Sequence, residues 1–589
     1  MCGIMGYVGE RRDAAELVLD GLRALEYRGY DSWGVAVASG GRVHVDKRAG
    51  KIAGATTSLA ASGLALGHTR WATNGGVTRE NAHPHLDCRA RVAVVHNGIV
   101  QNDLALRSRL VRDGHRFASE TDTELIAHLV EEALAAATGP DRLVAATIAA
   151  FRSLEGLNAI AVLDVETGAL AAAKSGSPLV VGVAESGYFL ASDATALLAH
   201  TRRLAFVAEG KAVLLDAGRA RLFDVASHRE EPLALVDAAW SVGSADKGTY
   251  PDYMTKEIHE QPSVIARIAS SDSGVGTVAS EVAAARDVFA IGCGTGFNAA
   301  LAAEYLFASA GRSIRAARAS EFAHCLRLVS PGALVLAFSQ SGETIDVLDA
   351  ARAARARGAR VLALTNVEGS SLFRFADRVV PLAVGPERCV VATKSFIAEL
   401  ALTYLARCKL ADEYEAGRDL LNRASADVAA MLVDERRRAI RAVAASLQER
   451  EHLYVLGRGL GHVLCLETAL KIKEVSYLHA EGFAAGELKH GAIALIEEGT
   501  PCVVIAPNDE TLSDVLASAM QVKARGAKVI GIGPEPHIAF DHHVPTADSG
   551  VATFMSIAVA GQLLGYELAR LRGHDPDMPR NLAKSVTVK

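Results

Sequence analysis

The sequence predicts a multidomain α/β protein: an α+β sandwich first, then two doubly wound parallel-sheet domains. Three observations lead there. At 589 residues the chain is too long for one hydrophobic core. Up to about residue 235, short β-type runs such as "RVAVVHNGIV" and "NAIAVLDV" are separated by Gly, Asn and Asp turns. From about 280 onward, apolar strands alternate with alanine-rich helices, and that pattern occurs twice.

The totals narrow the class. A hydrophobic share of 50% with 22% charged residues fits a globular protein, not a disordered one. The formal charge is −6, and no Lys/Arg run is interleaved with aromatics, so neither a nucleic acid nor a membrane surface is expected as a partner. The eight cysteines are scattered, with no CxxC pair and no Cys/His spacing of the zinc type. They are expected to be reduced thiols of a cytoplasmic protein, with no metal and no cofactor. The N-terminus has no apolar h-region, and the uncharged run Ser549 to Tyr566 is expected to be a core helix.

The chain opens "MCGIMGYVGE", placing a thiol at position two. Amphipathic stretches near 12–26 and 122–136 predict two helices between the strands of the first region. The polar segment "SVGSADKGTYPDYMTKEIHEQP" is the best linker candidate. Beyond it, "VFAIGCGTGFN" is echoed by "LYVLGRGLGHV", "VLAFSQSGETIDVL" by "VVIAPNDETLSDVL", and "RARGARVLAL" by "KARGAKVIGI". The spacing runs only from 165 (Gly292 to Gly457) to 168 (Arg357 to Arg525), so one domain is present in two copies. Neither glycine motif completes the dinucleotide fingerprint, because Phe297 and His462 stand where a third Gly or Ala belongs.

The copies differ at one turn. "SQSGET" in the first copy offers hydroxyls, backbone N–H groups and a helix N-terminus, which suits a phosphate at Ser339–Thr344. "APNDET" in the second has lost both serines. In "CLETALKIKEVSYLHAE", Glu467, Lys471 and Glu474 fall at i, i+4 and i+7 and share one helix face. Spacing alone leaves that stripe either solvated or functional.

Taken together, these residues resemble a known family. "MCGIMGYVG", "LEYRGYDS", "GHTRWATNG", "NAHPH", "VVHNGIVQN" and "SETDTELIAHL" resemble the class II glutamine amidotransferase domain, an N-terminal-nucleophile fold. "SQSGET", "ALKIKEVSYLHAE", "AAGELKHG" and "PRNLAKSVTVK" resemble the sugar isomerase half of the glutamine–fructose-6-phosphate aminotransferase family. The resemblance implies an amidotransferase domain over 2–235, a linker over 236–275, sugar isomerase domains over 276–420 and 440–575, and a tail over 576–589 closing the sugar site.

It also implies roles. Cys2 is the nucleophile, and a chain starting at Cys2 supplies its own α-amine as base, since an amine of pKa about 8 serves near neutrality. Asn97 and the Gly98 N–H form the oxyanion hole. Arg70 and Asp122 hold the carboxylate and ammonium of L-glutamine, and Trp71, Thr73 and His83 line that pocket. Glu474 moves a proton between sugar carbons, with Lys471 beside it keeping it ionised. His490 opens the ring and comes from the partner chain, implying a homodimer. Lys584 reaches the open sugar. Thr295, Ser339, Gln340, Ser341, Thr344, Val390 and Ala583 contact the ketohexose phosphate. Ammonia would pass internally between the centres.

Four positions depart from the family pattern: Trp33 for alanine, Asn74 for histidine, and Gly296 and Ala392 for serines. Trp33 is expected beside the glutamine pocket, altering access. The missing hydroxyls leave the sugar phosphate open, at about 1 kcal/mol for each lost neutral hydrogen bond. A paralogue acting on another ketose phosphate and a silent sugar-phosphate sensor remain as alternatives.

Overall fold

The computed structural model describes residues 2–237, 247–271 and 274–587. The chain forms two compact units, Met1–Asp246 with Ala583–Lys589, and Lys247–Leu582.

In the first unit, an eight-stranded and a seven-stranded sheet, both antiparallel, stack face to face. Strand Gly3–Gly9 lies between Leu64–Arg70 and Gly187–Ala191 in the larger sheet, and Val92–Gly98 pairs with Asn158–Asp164 in the smaller. Side chains alternate across each strand, so each sheet has an inner and an outer face. Ile4, Val8, Ala36 and Leu66 pack inward against Ala93, Val95 and Ala161. Met5, Trp33 and Val35 face outward onto Leu17, Val18 and Leu22 of helix Ala14–Ala24. Val92, Val94 and Ile160 face outward onto helices Thr123–Ala136 and Arg142–Arg152. The two expected helices are present, and Asp103–Arg112 and Arg142–Arg152 add to them. Asp103–Arg112 buries only Leu110, so it carries no apolar stripe for the sequence to reveal.

In the second unit, two parallel five-stranded sheets share one order. In the first copy, strand Val288–Gly292 lies between Arg315–Arg318 and Leu334–Ser339, followed by Arg360–Thr365 and Arg378–Pro381. In the second, His452–Gly457 lies between His479–Ala484 and Pro501–Ile505, followed by Lys528–Gly533 and His542–Pro545. The repeated glycines are steric. A Cβ on Gly292 would meet the Gly296 carbonyl at 2.4 Å, and one on Gly457 would meet the Gly461 carbonyl oxygen at 2.1 Å. The tight strand-to-helix turn therefore requires glycine in both copies.

The linker expectation is corrected over its described part. Residues 253–270 form helices Tyr253–His259 and Gln261–Ser270, which bury Met254, Ile258, Ile265 and Ile268. Pro262 sits in a first helical turn, where a missing N–H costs nothing. Residues 238–246 of that segment lie outside the described residues. The expected tail also divides, with 576–582 in the second unit and 583–589 in the first. Helix Thr553–Leu571 is apolar and long enough for a bilayer, yet it is buried in its own unit, packing on helix Leu460–Ser476.

Candidate functional site

In the first unit, pleating decides which side chains meet. Cys2 adjoins strand Gly3–Gly9 on the inner-face parity of Ile4. His68 and Arg70 share the inner parity of Leu66, and Asn97 that of Ala93 and Val95. Asn97 donates from Nδ2 to the Cys2 carbonyl at 3.0 Å. The Trp71 N–H donates to Cys2 Sγ at 3.2 Å, and the thiol faces the Trp71 carbonyl at 3.5 Å. Burial pushes the Cys2 thiol up, while the Trp71 N–H and the Arg70 charge pull it down. The resting group is therefore a thiol that must lose its proton as it attacks.

The Asn97 amide is oriented from behind. His68 Nε2 lies 3.0 Å from Asn97 Oδ1 and 3.1 Å from the His96 carbonyl. Burial pushes His68 down to about 3, so the ring is neutral and its Nε2–H donates. That fixes Oδ1 as the acceptor and turns Nδ2 toward Cys2. His83 stacks on His68 at 4.1 Å and is likewise held neutral by burial. Gly98 has φ +149°, and a Cβ there would strike the Leu157 carbonyl at 2.5 Å, so glycine is required where the strand turns out of its sheet.

Arg70 donates to the carbonyls of Asn74, Gly75 and Gly76, tying down the 74–76 loop with the guanidinium expected to hold glutamine's carboxylate. Asp122, buried at the start of helix Thr123–Ala136, accepts the Val100 N–H at 2.8 Å. Thr73 is exposed. Sequence reasoning missed His68 and Asp31. Asp31 accepts the Ala72 N–H at 2.8 Å and bears electrostatically on both Cys2 and Arg70. The i, i+2 spacing of His68 and Arg70 on one strand is a usable signal for the histidine. The expectation that the mature chain starts at Cys2 concerns Met1, which lies outside the described residues.

In the second unit, the ionic stripe is packed inside the fold rather than solvated. Lys471 is fully buried, with Nζ 3.4 Å from Glu467 Oε1 and 2.6 Å from Glu474 Oε2. Helix Thr295–Ser309 of the first copy meets it. Thr295 Oγ1 donates to Glu467 at 3.1 Å and accepts from Lys471 at 3.0 Å, and Asn298 Nδ2 donates to Glu467 Oε2 at 2.7 Å. Burial opposes the Lys471 charge, but the two carboxylates outweigh it and raise its pKa. Burial raises Glu467. Glu474 is the most open of the three, its side chain 21% exposed, and so is the one available to a substrate.

The Ser339–Thr344 turn is braced from within. Ser339 Oγ accepts the Gly342 N–H at 3.1 Å, Ser341 Oγ accepts the Glu343 N–H at 3.2 Å, and the Gln340 carbonyl accepts the Asn366 N–H at 3.0 Å. Helix Ile345–Ala356 follows at once. Val390 donates its N–H to the Asp577 carbonyl, and the Asp577 carboxylate, pushed up to about 6 by burial, accepts the N–H groups of Tyr253 and Met254. His490 lies exposed on a short helical turn, outside the Glu467–Glu474 cluster. Ala583 and Lys584 fall in the segment that folds with the first unit, where Thr587 is buried and its hydroxyl lies 3.3 Å from that of Ser177.

Known proteins similar to this chain fall into two domain families and one full-length family. The glutamine amidotransferase domain family matches residues 68–199, and the SIS domain family matches 281–407 and again 446–559. A glutamine–fructose-6-phosphate aminotransferase (isomerizing) of Methanothermobacter thermautotrophicus is 40% identical over 100% of both chains, and one of Streptomyces coelicolor is 42% identical over the same share. The chain belongs to the glutamine–fructose-6-phosphate aminotransferase family. The solved C-terminal domain of the Francisella tularensis glucosamine-fructose-6-phosphate aminotransferase aligns with a TM-score of 0.52 at 29% identity, covering 56% of this chain and 99% of that one.

Within this family frame, two of the four departures, Trp33 and Gly296, acquire physical reasons. Trp33 does not gate the glutamine pocket: it is 2% exposed, on the outer parity with Met5, packed over helix Ala14–Ala24 and capped by the Arg48 guanidinium. Asn74 contributes its carbonyl to Arg70. A Cβ on Gly296 would come within 3.0 Å of the Phe338 carbonyl oxygen, so a serine there needs the neighbouring strand to give way. Nothing in the structure explains Ala392.

Proposed function

We infer that the chain moves the amide nitrogen of L-glutamine onto D-fructose 6-phosphate, giving D-glucosamine 6-phosphate and L-glutamate, the first step of amino-sugar synthesis. The full-length similarity to relatives of that name carries the reading. The two sites supply the chemistry. Cys2 Sγ attacks the glutamine amide carbon. Because burial raises the thiol, a base must take its proton, and the α-amine of a chain starting at Cys2 is placed by connectivity to do so. Asn97 has a second amide N–H beyond the one given to Cys2, and with the Gly98 N–H it would bind the oxyanion. Arg70 and Asp122 would hold glutamine's charged ends, with Trp71, Thr73 and His83 around them.

At the second site, Glu474 would carry the proton between C1 and C2 of the aminated sugar, while buried Lys471 holds the negative charge in place. Thr295, Gln340, Ser341, Thr344 and the Val390 backbone would receive the sugar phosphate. Ser339 supports the turn from below. The family resemblance supports His490 as the ring opener in a cytoplasmic homodimer, Lys584 with Ala583 at the open sugar, and ammonia passed on without release. Gly296 and Ala392 favour one alternative, a different ketose phosphate.

The test is product identification with glutamine and several ketose phosphates. Glucosamine 6-phosphate formed from fructose 6-phosphate is expected; glutamate released without any amino sugar would sink the reading. Cys2→Ala should abolish glutamine use and leave sugar isomerisation intact.

A further inference from the structure

The first unit gathers four metal-ligating side chains to which neither reaction gives a role: Cys88, His115, His128 and Glu131. Three separate segments bring them together. Cys88 sits in the hairpin turn between strands His85–Leu86 and Val92–Gly98, where the Asp87 carboxylate accepts the N–H groups of Arg91 and Val92. His115 follows helix Asp103–Arg112, its N–H returning to the Leu110 carbonyl. His128 and Glu131 stand at i, i+3 on helix Thr123–Ala136.

Their donor atoms all lie within 4.8 Å of one another. Cys88 Sγ is 3.6 Å from His115 Nδ1 and 3.6 Å from His128 Nδ1. Glu131 Oε2 is 3.3 Å from His115 Nδ1 and 3.6 Å from His128 Nδ1. A tetrahedral zinc ion with bonds of about 2.3 Å to sulfur and about 2.0–2.2 Å to nitrogen and oxygen has S–N edges of about 3.5 Å and N–O edges of about 3.4 Å. The four measured separations lie within about 0.2 Å of those edges, while the widest donor pair, up to 4.8 Å apart, closes as the ion binds.

The surroundings fit a metal as well. His115 Nε2 lies 3.3 Å from Glu132 Oε1, the outer carboxylate that orients a ligating imidazole, and the Cys88 N–H steadies Glu131 Oε2 at 3.2 Å. The side chains of His128 and His115 are 1% and 12% exposed, and Phe117 meets the His128 ring edge-on. One thiolate and one carboxylate neutralise a divalent ion, so a half-buried site carries no net charge. Of the facing cations, Arg109 pairs with Glu132, and the largely exposed Arg89 approaches only the Glu131 oxygen that is not proposed as a ligand, at 3.7 Å.

We propose that Cys88 Sγ, His115 Nδ1, His128 Nδ1 and Glu131 Oε2 bind one Zn(II), the thiol proton leaving to solvent as the Sγ–Zn bond forms. With four protein ligands the site is structural. It clips the hairpin that leads into Asn97 onto the helix that begins after Asp122. The expectation of no metal missed it because the ligands are 27, 13 and 3 residues apart, which matches no zinc spacing pattern.

The test uses full-length protein stripped by a chelator, then titrated with Zn(II) against a chromophoric chelator, with Co(II) as a spectroscopic substitute. One zinc per chain with nanomolar or tighter affinity, a raised Tm, and a thiolate-to-Co(II) charge-transfer band with tetrahedral d–d absorption are expected. Cys88→Ser, at an exposed position, should remove that band and weaken zinc binding at least 100-fold, and His115→Ala should weaken it similarly. Affinity no better than micromolar in folded wild-type protein, or equal binding by both variants, overturns the proposal and leaves a hydrogen-bonded cluster in its place.

Discussion

The two copies of the parallel-sheet domain have the same strand order and the same glycine-closed turn, yet they carry different chemistry. At equal distances from the repeated glycines, Ala302, Leu306 and Ser309 in the first copy match Glu467, Lys471 and Glu474 in the second. Ala302 and Leu306 are core residues, so the same helix face is apolar in one copy and ionic in the other. The difference reverses at the next turn. The first copy keeps the hydroxyls of Ser339–Thr344, whereas in the second the Asp509 carboxylate takes both the Thr511 N–H, at 2.8 Å, and its hydroxyl, at 2.6 Å. A carboxylate in that position already fills the donors and repels a phosphate. Duplication thus preserved the backbone devices while the side chains diverged, one copy keeping the hydroxyl-bearing turn and the other the buried ionic stripe.

Five substitutions test this division. Glu474→Gln should have the largest effect, lowering turnover of the sugar step by about 10²–10⁴-fold with little change in KM, because it removes a proton acceptor and keeps the shape. Steady-state kinetics checks it, and an unchanged kcat would return the stripe to a purely structural role. Gly292→Ala and Gly457→Ala should each cost about 1–3 kcal/mol by overpacking, read as matching falls in Tm. Tolerance at one site alone would mean that the copies do not share the turn. Ser339→Ala should be mildest, losing about 1 kcal/mol of bracing at the Gly342 N–H and weakening sugar-phosphate affinity about fivefold. Replacing Asp509 in the second copy should leave that affinity unchanged, as measured by calorimetry.

Much of the fold is legible in the amino-acid sequence. Residues 14–24 and 123–136 show themselves as helices through apolar stripes, and the repeat through matched glycines. Helices 253–259 and 261–270 do not, because prolines and charges make a buried segment look like a linker. At the sites, the i, i+4, i+7 spacing places Glu467, Lys471 and Glu474 together but cannot say that the face is buried. His68 stays hidden because its role is to orient Asn97, a residue 29 positions away. Trp33 misleads because being near Arg70 in the sheet says nothing about which face a side chain takes; one step along a strand reverses it.

The sequence by itself determined the order of domains, the duplication, and which side chains are candidates for the chemistry, since these depend on local periodicity and motif. Tertiary structure alone decided which groups are buried, which meet and in what protonation state. Burial and partnership arise when distant segments pack, as when Thr295 and Asn298 of one copy close over Glu467 of the other, or when Cys88, His115 and His128 converge from three segments.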